Sequence, residues 1–130
     1  MTTFSKIYLS LVALAFIGTG AFGLSSPQAL TDYVGTTLTS VDGFNETRGL
    51  YGGVHLMVGL LLMFAAFNKA LHRIGLLLAL TFLGGYVFGR LASISLDGMP
   101  GSTVFLWLGV EAVGSTIALF LLYTGRHRGN

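Results

Sequence analysis

Residues 74–96 read IGLLLALTFLGGYVFGRLASISL, 23 positions with a single charge, Arg90. A helix of about 20 apolar residues crosses the ~30 Å hydrocarbon layer of a bilayer, so this stretch spans a membrane. Three more stretches read the same way. Residues 7–24 carry no charge, residues 49–67 carry His55 as their ionisable group apart from tyrosine, and residues 101–123 carry one charge, Glu111. The runs are too long for strands and do not alternate apolar with polar residues. The expected fold is therefore all-α: an integral membrane four-helix bundle of up-down topology, formed as one transmembrane domain over residues 1–130.

Composition agrees with that reading. Charged residues make up 9% of the 130-residue chain, against roughly 25% in soluble domains, and mean hydropathy is +0.78. A small soluble domain needs a mostly polar surface, which this chain cannot supply. A soluble monomeric enzyme and a disordered tail are excluded. Seven Lys and Arg residues also cannot build a duplex-binding patch, so no nucleic acid is expected as a partner. With no cysteine, disulfides, zinc-thiolate sites and iron–sulfur clusters are absent.

The charges between spans set an orientation. Lys6, Lys69, Arg73, Arg126 and Arg128, joined by His72 and His127, fall on one side. Asp32, Asp42, Glu46 and Asp97 fall on the other, with Arg48 as their basic companion. The positive-inside rule then places both termini in the cytoplasm. Lys6 followed by an apolar run and small residues resembles a secretion signal. Retaining that run as the first span keeps the inside/outside alternation consistent, and it is expected to be retained. The run of Arg126, His127 and Arg128 reads as a topology anchor against anionic lipid.

The connections are unequal. Within residues 25–44, Ser26 before Pro27 is a helix-start signal. Ala29, Leu30, Tyr33 and Val34 recur at helical spacing, so a short interfacial helix is expected over residues 27–34, ended by Gly35. Asp42 or Asn45 is placed to cap the second span, and Glu46 suits the positive end of its dipole. The triplet Asn45-Glu46-Thr47 matches a glycosylation sequon, a pattern common by chance. Residues 68–73 and the turn at residues 97–101 are short, which makes consecutive spans antiparallel neighbours.

Ionisable groups inside a bilayer cost on the order of 2.5–3.5 kcal/mol each and seek partners. At 1.5 Å per residue, His55 lies roughly 13 Å from Glu46, Arg90 roughly 10 Å from Asp97, and Glu111 roughly 15 Å from Gly101. Three helices thus bring an ionisable group to one layer of the outer leaflet. Helical spacing widens each into a face: Arg48, Tyr51 (or Gly52), His55 and Gly59; Tyr86, Arg90, Ser93 and Asp97; Trp107, Glu111, Ser115 and Ala118. Arg90 is expected to pair with Glu111, with His55 and Tyr51 or Tyr86 hydrogen-bonded around them. Such a network either fixes the register of helices that lack a hydrophobic driving force or serves a ligand or a proton transfer.

Gly49 and Gly53, and Gly85 and Gly89, stand one turn apart on the second and third spans, flanked by Gly52, Gly59 and Gly84. Stripes of small residues let helix backbones approach closely, and these positions are expected to line helix contacts. Trp107 and Tyr123 read as core or interfacial aromatics. A bis-histidine haem needs a second histidine at the depth of His55, and His72 and His127 fall on the opposite side. No phosphate loop, HExxH or CxxC motif and no carboxylate-rich metal box occurs. No metal and no cofactor is expected, and no catalytic residue is assigned.

The stretch from Asn45 to His55, NETRGLYGGVH, resembles the N-E-x-R-x-x-Y-G-G-x-H-like signature of a bacterial family of small four-helix membrane proteins, the domain of unknown function 4345 family. Gly89-Arg90, the Asp97-Gly98 turn and the Glu111 span stand in the family's order. The resemblance covers nearly the whole chain. It implies a membrane bundle with Glu46, Arg48, Tyr51, His55, Arg90 and Glu111 as its polar residues, and it implies no activity. It also underlies the expectation of a bacterial cytoplasmic (inner) membrane. A looser similarity to DoxX-like membrane proteins is an analogy of fold.

Two functions are compatible with these features. The first is an accessory or structural subunit of a larger inner-membrane complex, or a self-associating bundle, whose partners are membrane lipid and other membrane chains. The second is a module or enzyme that binds a lipid, quinone, isoprenoid or pigment at the polar layer. In that case Arg48 or Arg90 holds an oxygen, His55 exchanges a proton and Glu111 orients one of them. A channel is disfavoured, because residues 60–67 and 74–80 carry no polar side chain.

Overall fold

The computed structural model describes residues 1–126, with side chains described to residue 125. The basic anchor expected at Arg126, His127 and Arg128 therefore lies outside the described side chains. The chain is all-helical over the described residues. In order come α1 (Thr3–Ser25), α2 (Pro27–Asp32), α3 (Val41–Thr47), a π-helical segment (Arg48–Val54), α4 (His55–Phe67), α5 (His72–Asp97) and α6 (Ser102–Arg126). α3, the π segment and α4 form one continuous helix, Val41–Phe67. Four helices are thus long and apolar enough to cross a membrane.

The helix ends obey local chemistry. Thr2 caps α1: the Ser5 amide donates to Thr2 Oγ1 at 3.1 Å and the Thr2 amide donates to Ser5 Oγ at 3.0 Å. This is a reciprocal capping box with serine in the position glutamate usually takes. Pro27 opens α2 as expected, but the Ser26 hydroxyl makes no capping bond. α2 ends sooner than residue 34, and Gly35 turns the chain with φ +72°. Gln28 ties the connection after α2 back to that helix: its Oε1 accepts from the Leu38 amide at 2.9 Å. The next helix starts earlier than expected, because Ser40 rather than Asp42 or Asn45 supplies the cap. Ser40 Oγ accepts from the Gly43 amide at 3.0 Å, and Asp42 sits in the first turn instead. At the connection before α5, Asn68 Oδ1 accepts from the amides of Ala70 and Leu71 at 3.0 and 3.2 Å. Gly98, at φ +96°, ends α5.

Packing divides the chain into two hairpins, α1 with α4 and α5 with α6. On α1 the buried positions Leu9, Ala13, Phe16, Gly20 and Gly23 recur every three or four residues. On the facing helix Gly52, His55, Gly59, Leu62 and Ala66 do the same. The seam is tight. A Cβ at Gly20 would stand 2.5 Å from the Leu56 amide nitrogen, and one at Gly59 would stand 2.7 Å from that of Ile17. Backbones this close gain dispersion contacts that a lipid-facing helix cannot get from hydrophobic burial. Of the seven glycines expected at helix contacts, Gly52 packs against Leu24 and Gly59 against Ile17, both of α1. Gly49, Gly85 and Gly89 meet nothing within 4 Å, and Gly53 meets only the Arg48 carbonyl of its own helix. Gly20, Gly23, Gly75 and Gly114 make further close contacts inside the chain, and on the second span the alternating three- and four-residue steps of the seam take in Gly52 and Gly59 but pass over Gly49 and Gly53.

The core joins the hairpins at one end. Leu9 and Leu62 are fully buried, flanked by Ala13, Ala66, Leu76, Ala79 and Ala118. Gly75 of α5 lies against Ala65, and the Tyr8 hydroxyl of α1 donates to the Gly114 carbonyl of α6 at 2.8 Å. On α5 the buried residues stop at Ala79. Beyond it, toward the turn at residues 98–101, the two hairpins share little surface: the π segment packs on α1, α3 and α4, while Phe88 and Leu96 are 77% and 83% exposed.

Candidate functional site

His55 begins α4 and is buried. Its Nδ1 lies 2.8 Å from the Leu50 carbonyl. A carbonyl can only accept, so Nδ1 carries a proton, and in the imidazole form Nε2 is then the acceptor. The Tyr86 hydroxyl of α5 donates to that Nε2 at 2.6 Å. The π segment contributes the acceptor. Its wider turn brings Leu50, five residues earlier, within reach of the ring, and such segments recur at functional sites. Phe16 and Tyr51 both stack on the His55 ring, with centroids 5.1 and 5.6 Å away. Phe82 meets Phe16 edge-on at 5.6 Å.

One turn beyond Tyr86, Arg90 reaches across to α6. Its Nε donates to Glu111 Oε2 at 2.6 Å and its Nη2 to Oε1 at 2.8 Å. This two-point fork is the strongest geometry available to a guanidinium and a carboxylate. The side chains are 24% and 9% exposed. The Arg90 guanidinium carbon also lies 5.9 Å from the centre of the Tyr86 ring. A chain of contacts therefore runs from Leu50 through His55, Tyr86 and Arg90 to Glu111. It joins the two hairpins where their apolar packing has ended. Every buried side-chain nitrogen and oxygen among the described residues has a hydrogen-bond partner.

The remaining residues of the expected layer stand apart. Arg48 donates from Nε to the Leu24 carbonyl at 3.1 Å and lies 5.8 Å from the Phe44 ring, tying the π segment to the end of α1. Asp97 accepts from Ser93 Oγ at 3.0 Å on the exposed side of α5. Glu46 is exposed on α3. None of the three makes a hydrogen bond to Arg90, Glu111 or His55 among the described residues.

A second polar node lies at the other end of α5, roughly 21 Å from Tyr86 along the helix. His72 is buried. Its Nδ1 donates to the Ala65 carbonyl at 3.2 Å and its Nε2 bonds to Ser5 Oγ at 2.8 Å. Sequence reasoning counted His72 with the surface charges between spans. No local pattern joins it to Ser5, which opens a different helix. Phe16 and Tyr8 were likewise not singled out, since one aromatic in an apolar run looks like any other. Among the described residues no three His, Asp or Glu side chains come together as a metal-binding set.

A family model described as Domain of unknown function (DUF4345) matches residues 4–122. No curated protein and no solved structure matches the chain. The matched region takes in the four long helices, the π segment and both polar nodes, and the chain belongs to the family described as Domain of unknown function (DUF4345).

Proposed function

We propose that this chain is an accessory subunit of a bacterial inner membrane, one that associates through its helices with further membrane chains or with copies of itself. The observation that carries the reading is the open flank of α5. Gly84, Gly85 and Gly89 meet nothing within 4 Å in the chain, whereas Gly20, Gly52 and Gly59 are filled by a neighbouring helix. Glycine in a helix interior costs roughly 0.5–1 kcal/mol relative to alanine, and close approach by a second helix offsets that cost in lipid. The fully paired Arg90–Glu111 and His55–Tyr86 contacts support a role as register locks between hairpins. The up-down order of the spans and cytoplasmic termini belong to the same reading and rest on the distribution of Lys and Arg.

The chain has no cysteine, so Gly85→Cys and Gly89→Cys supply single probes. Cross-linking in native membranes is expected to join each variant to a second copy or to a larger chain, and Gly85→Leu is expected to abolish the association seen in mild detergent. Recovery of the wild-type chain solely as a monodisperse monomer, with no cross-linked product, overturns the reading.

A further inference from the structure

His55 and His72 are both buried, and they are wired alike. Nδ1 lies 2.8 Å from the Leu50 carbonyl in His55 and 3.2 Å from the Ala65 carbonyl in His72. In each ring Nε2 meets a hydroxyl from another helix, that of Tyr86 for His55 and that of Ser5 for His72. The hydroxyls differ in what else they reach. The Tyr86 hydroxyl has His55 Nε2 as its partner and no second acceptor among the described residues. The Ser5 hydroxyl has one proton and two acceptors, His72 Nε2 at 2.8 Å and the Thr2 carbonyl at 2.9 Å.

That difference decides which ring can change charge inside the fold. In the imidazole form of His72, Ser5 donates to Nε2 and accepts from the Thr2 amide at 3.0 Å. When Nε2 gains a proton from water it becomes a donor. The Ser5 hydroxyl then accepts from the ring and turns its own proton to the Thr2 carbonyl. That carbonyl already accepts from the Lys6 amide at 3.1 Å, and its second lone pair is there for Ser5. One N–H bond forms, and every polar atom of the node keeps a partner. The same step at His55 leaves the Tyr86 proton without an acceptor in the chain, at the cost of an unsatisfied donor.

The surroundings make the new charge count. α1 brings Lys6, next to Ser5, and the amino group of Met1, next to Thr2. Tyr8 of α1 is committed to the Gly114 carbonyl. The connection before α5 brings Lys69, and Arg73 follows His72. α4 carries no ionisable side chain but His55, and those described on α6 are Glu111 and Tyr123. The acidic residues Asp32, Asp42, Glu46, Asp97 and Glu111 all lie toward the other end of the bundle. A proton on His72 is therefore not cancelled by a carboxylate at its own end.

We infer that His72 is a proton-sensing site that takes up and releases a proton within the folded chain, its Ser5 partner swivelling between the ring and the Thr2 carbonyl, while His55 stays an imidazole. The device sets the charge of the bundle end that carries Lys6, Lys69 and Arg73 by the pH of the water it faces. It is independent of the association proposed above, which uses the flank of α5.

The test follows the histidine ring nitrogens of the full chain by NMR. The protein is labelled with nitrogen-15 histidine, held in detergent micelles and taken from about pH 8 to pH 5, the interval in which histidine ordinarily changes charge. His72→Gln and His127→Gln assign the signals. His72 Nε2 is expected to pass from bare to protonated with elution by size unchanged, while the His55 signals hold still. Ser5→Ala removes the swivel and is expected to lower the proton affinity of His72 about 10-fold, because a hydrogen bond from a charged ring is worth more than one to a neutral ring. A His72 ring that stays bare at Nε2 until the protein unfolds overturns the proposal. So does a His55 ring that titrates alongside it, or a Ser5→Ala midpoint equal to the wild-type value. The comparison of the two rings in the wild-type chain decides the matter even where Ser5→Ala does not fold.

Discussion

The Tyr86 hydroxyl and His55 Nε2, 2.6 Å apart, form the hydrogen bond that links the α5/α6 hairpin to the α1/α4 hairpin beyond the end of the apolar core. Its direction is fixed by the Leu50 carbonyl, which holds the ring proton on Nδ1. Tyr86→Phe leaves the ring packing in place and strands a buried acceptor. The expected cost is about 1–3 kcal/mol, read as a lower unfolding midpoint in detergent. An unchanged midpoint would mean that the hairpins do not depend on this bond.

Removal of one member of the Arg90–Glu111 pair leaves the other uncompensated. Glu111→Ala is expected to destabilise at the lower end of the ~3–5 kcal/mol range for broken buried pairs, since Arg90 is partly exposed. Glu111→Gln keeps one hydrogen bond to the guanidinium and should lose clearly less. Thermal unfolding of the two variants side by side checks the order.

The α1/α4 seam and the open flank of α5 respond differently to bulk. Gly20→Leu forces a side chain into the Leu56 backbone and is expected to cost at least about 1–3 kcal/mol, or to prevent folding. Gly85→Leu meets open space in the chain and should leave the stability of the monomer within about 0.5 kcal/mol. Expression level and size-exclusion profile in detergent report both.

Ser5→Ala acts at two places, because Ser5 serves both the α1 capping box and His72 Nε2. The Thr2 cap on the residue 5 amide survives, but the Thr2 amide loses its acceptor and a ring nitrogen of His72 loses its partner, each at about 1 kcal/mol. Faster hydrogen exchange is expected at the amides of residues 3–6 and at those opening α5. Exchange confined to the first turn of α1 would show that the bond to His72 carries nothing.

Orientation is checked by cysteine labelling in intact cells. Thr37→Cys, in the long connection after α2, is expected to react with a membrane-impermeant maleimide from outside, and Lys69→Cys only after the membrane is opened. The reverse pattern would invert the proposed topology.

Arg90, Glu111 and His55 were legible in the sequence because charge in lipid is costly, and depth along a helix is simple arithmetic. That arithmetic set the three at one level, and the side chains meet directly or through Tyr86. The span boundaries were legible to within a few residues except at the second span, where Ser40 starts the helix well before residue 49. The π segment was not legible, since its register depends on which carbonyl each donor finds once α1 is packed against Gly52. The packing glycines were legible in part: Gly52 and Gly59 meet α1 as expected, whereas Gly49 and Gly53, marked by their four-residue spacing, lie outside the antiparallel seam. His72 escaped notice because its partner, Ser5, lies 67 residues away.

The ion pair also bears on how the protein is made. Arg90 leaves the ribosome 21 residues before Glu111, an interval of about 1–4 s at ordinary rates of synthesis. Released alone into lipid, α5 would carry a bare guanidinium at a cost of roughly 2.5–3.5 kcal/mol. The two C-terminal helices therefore gain by leaving the insertion channel together, as a preformed hairpin whose charges have already met.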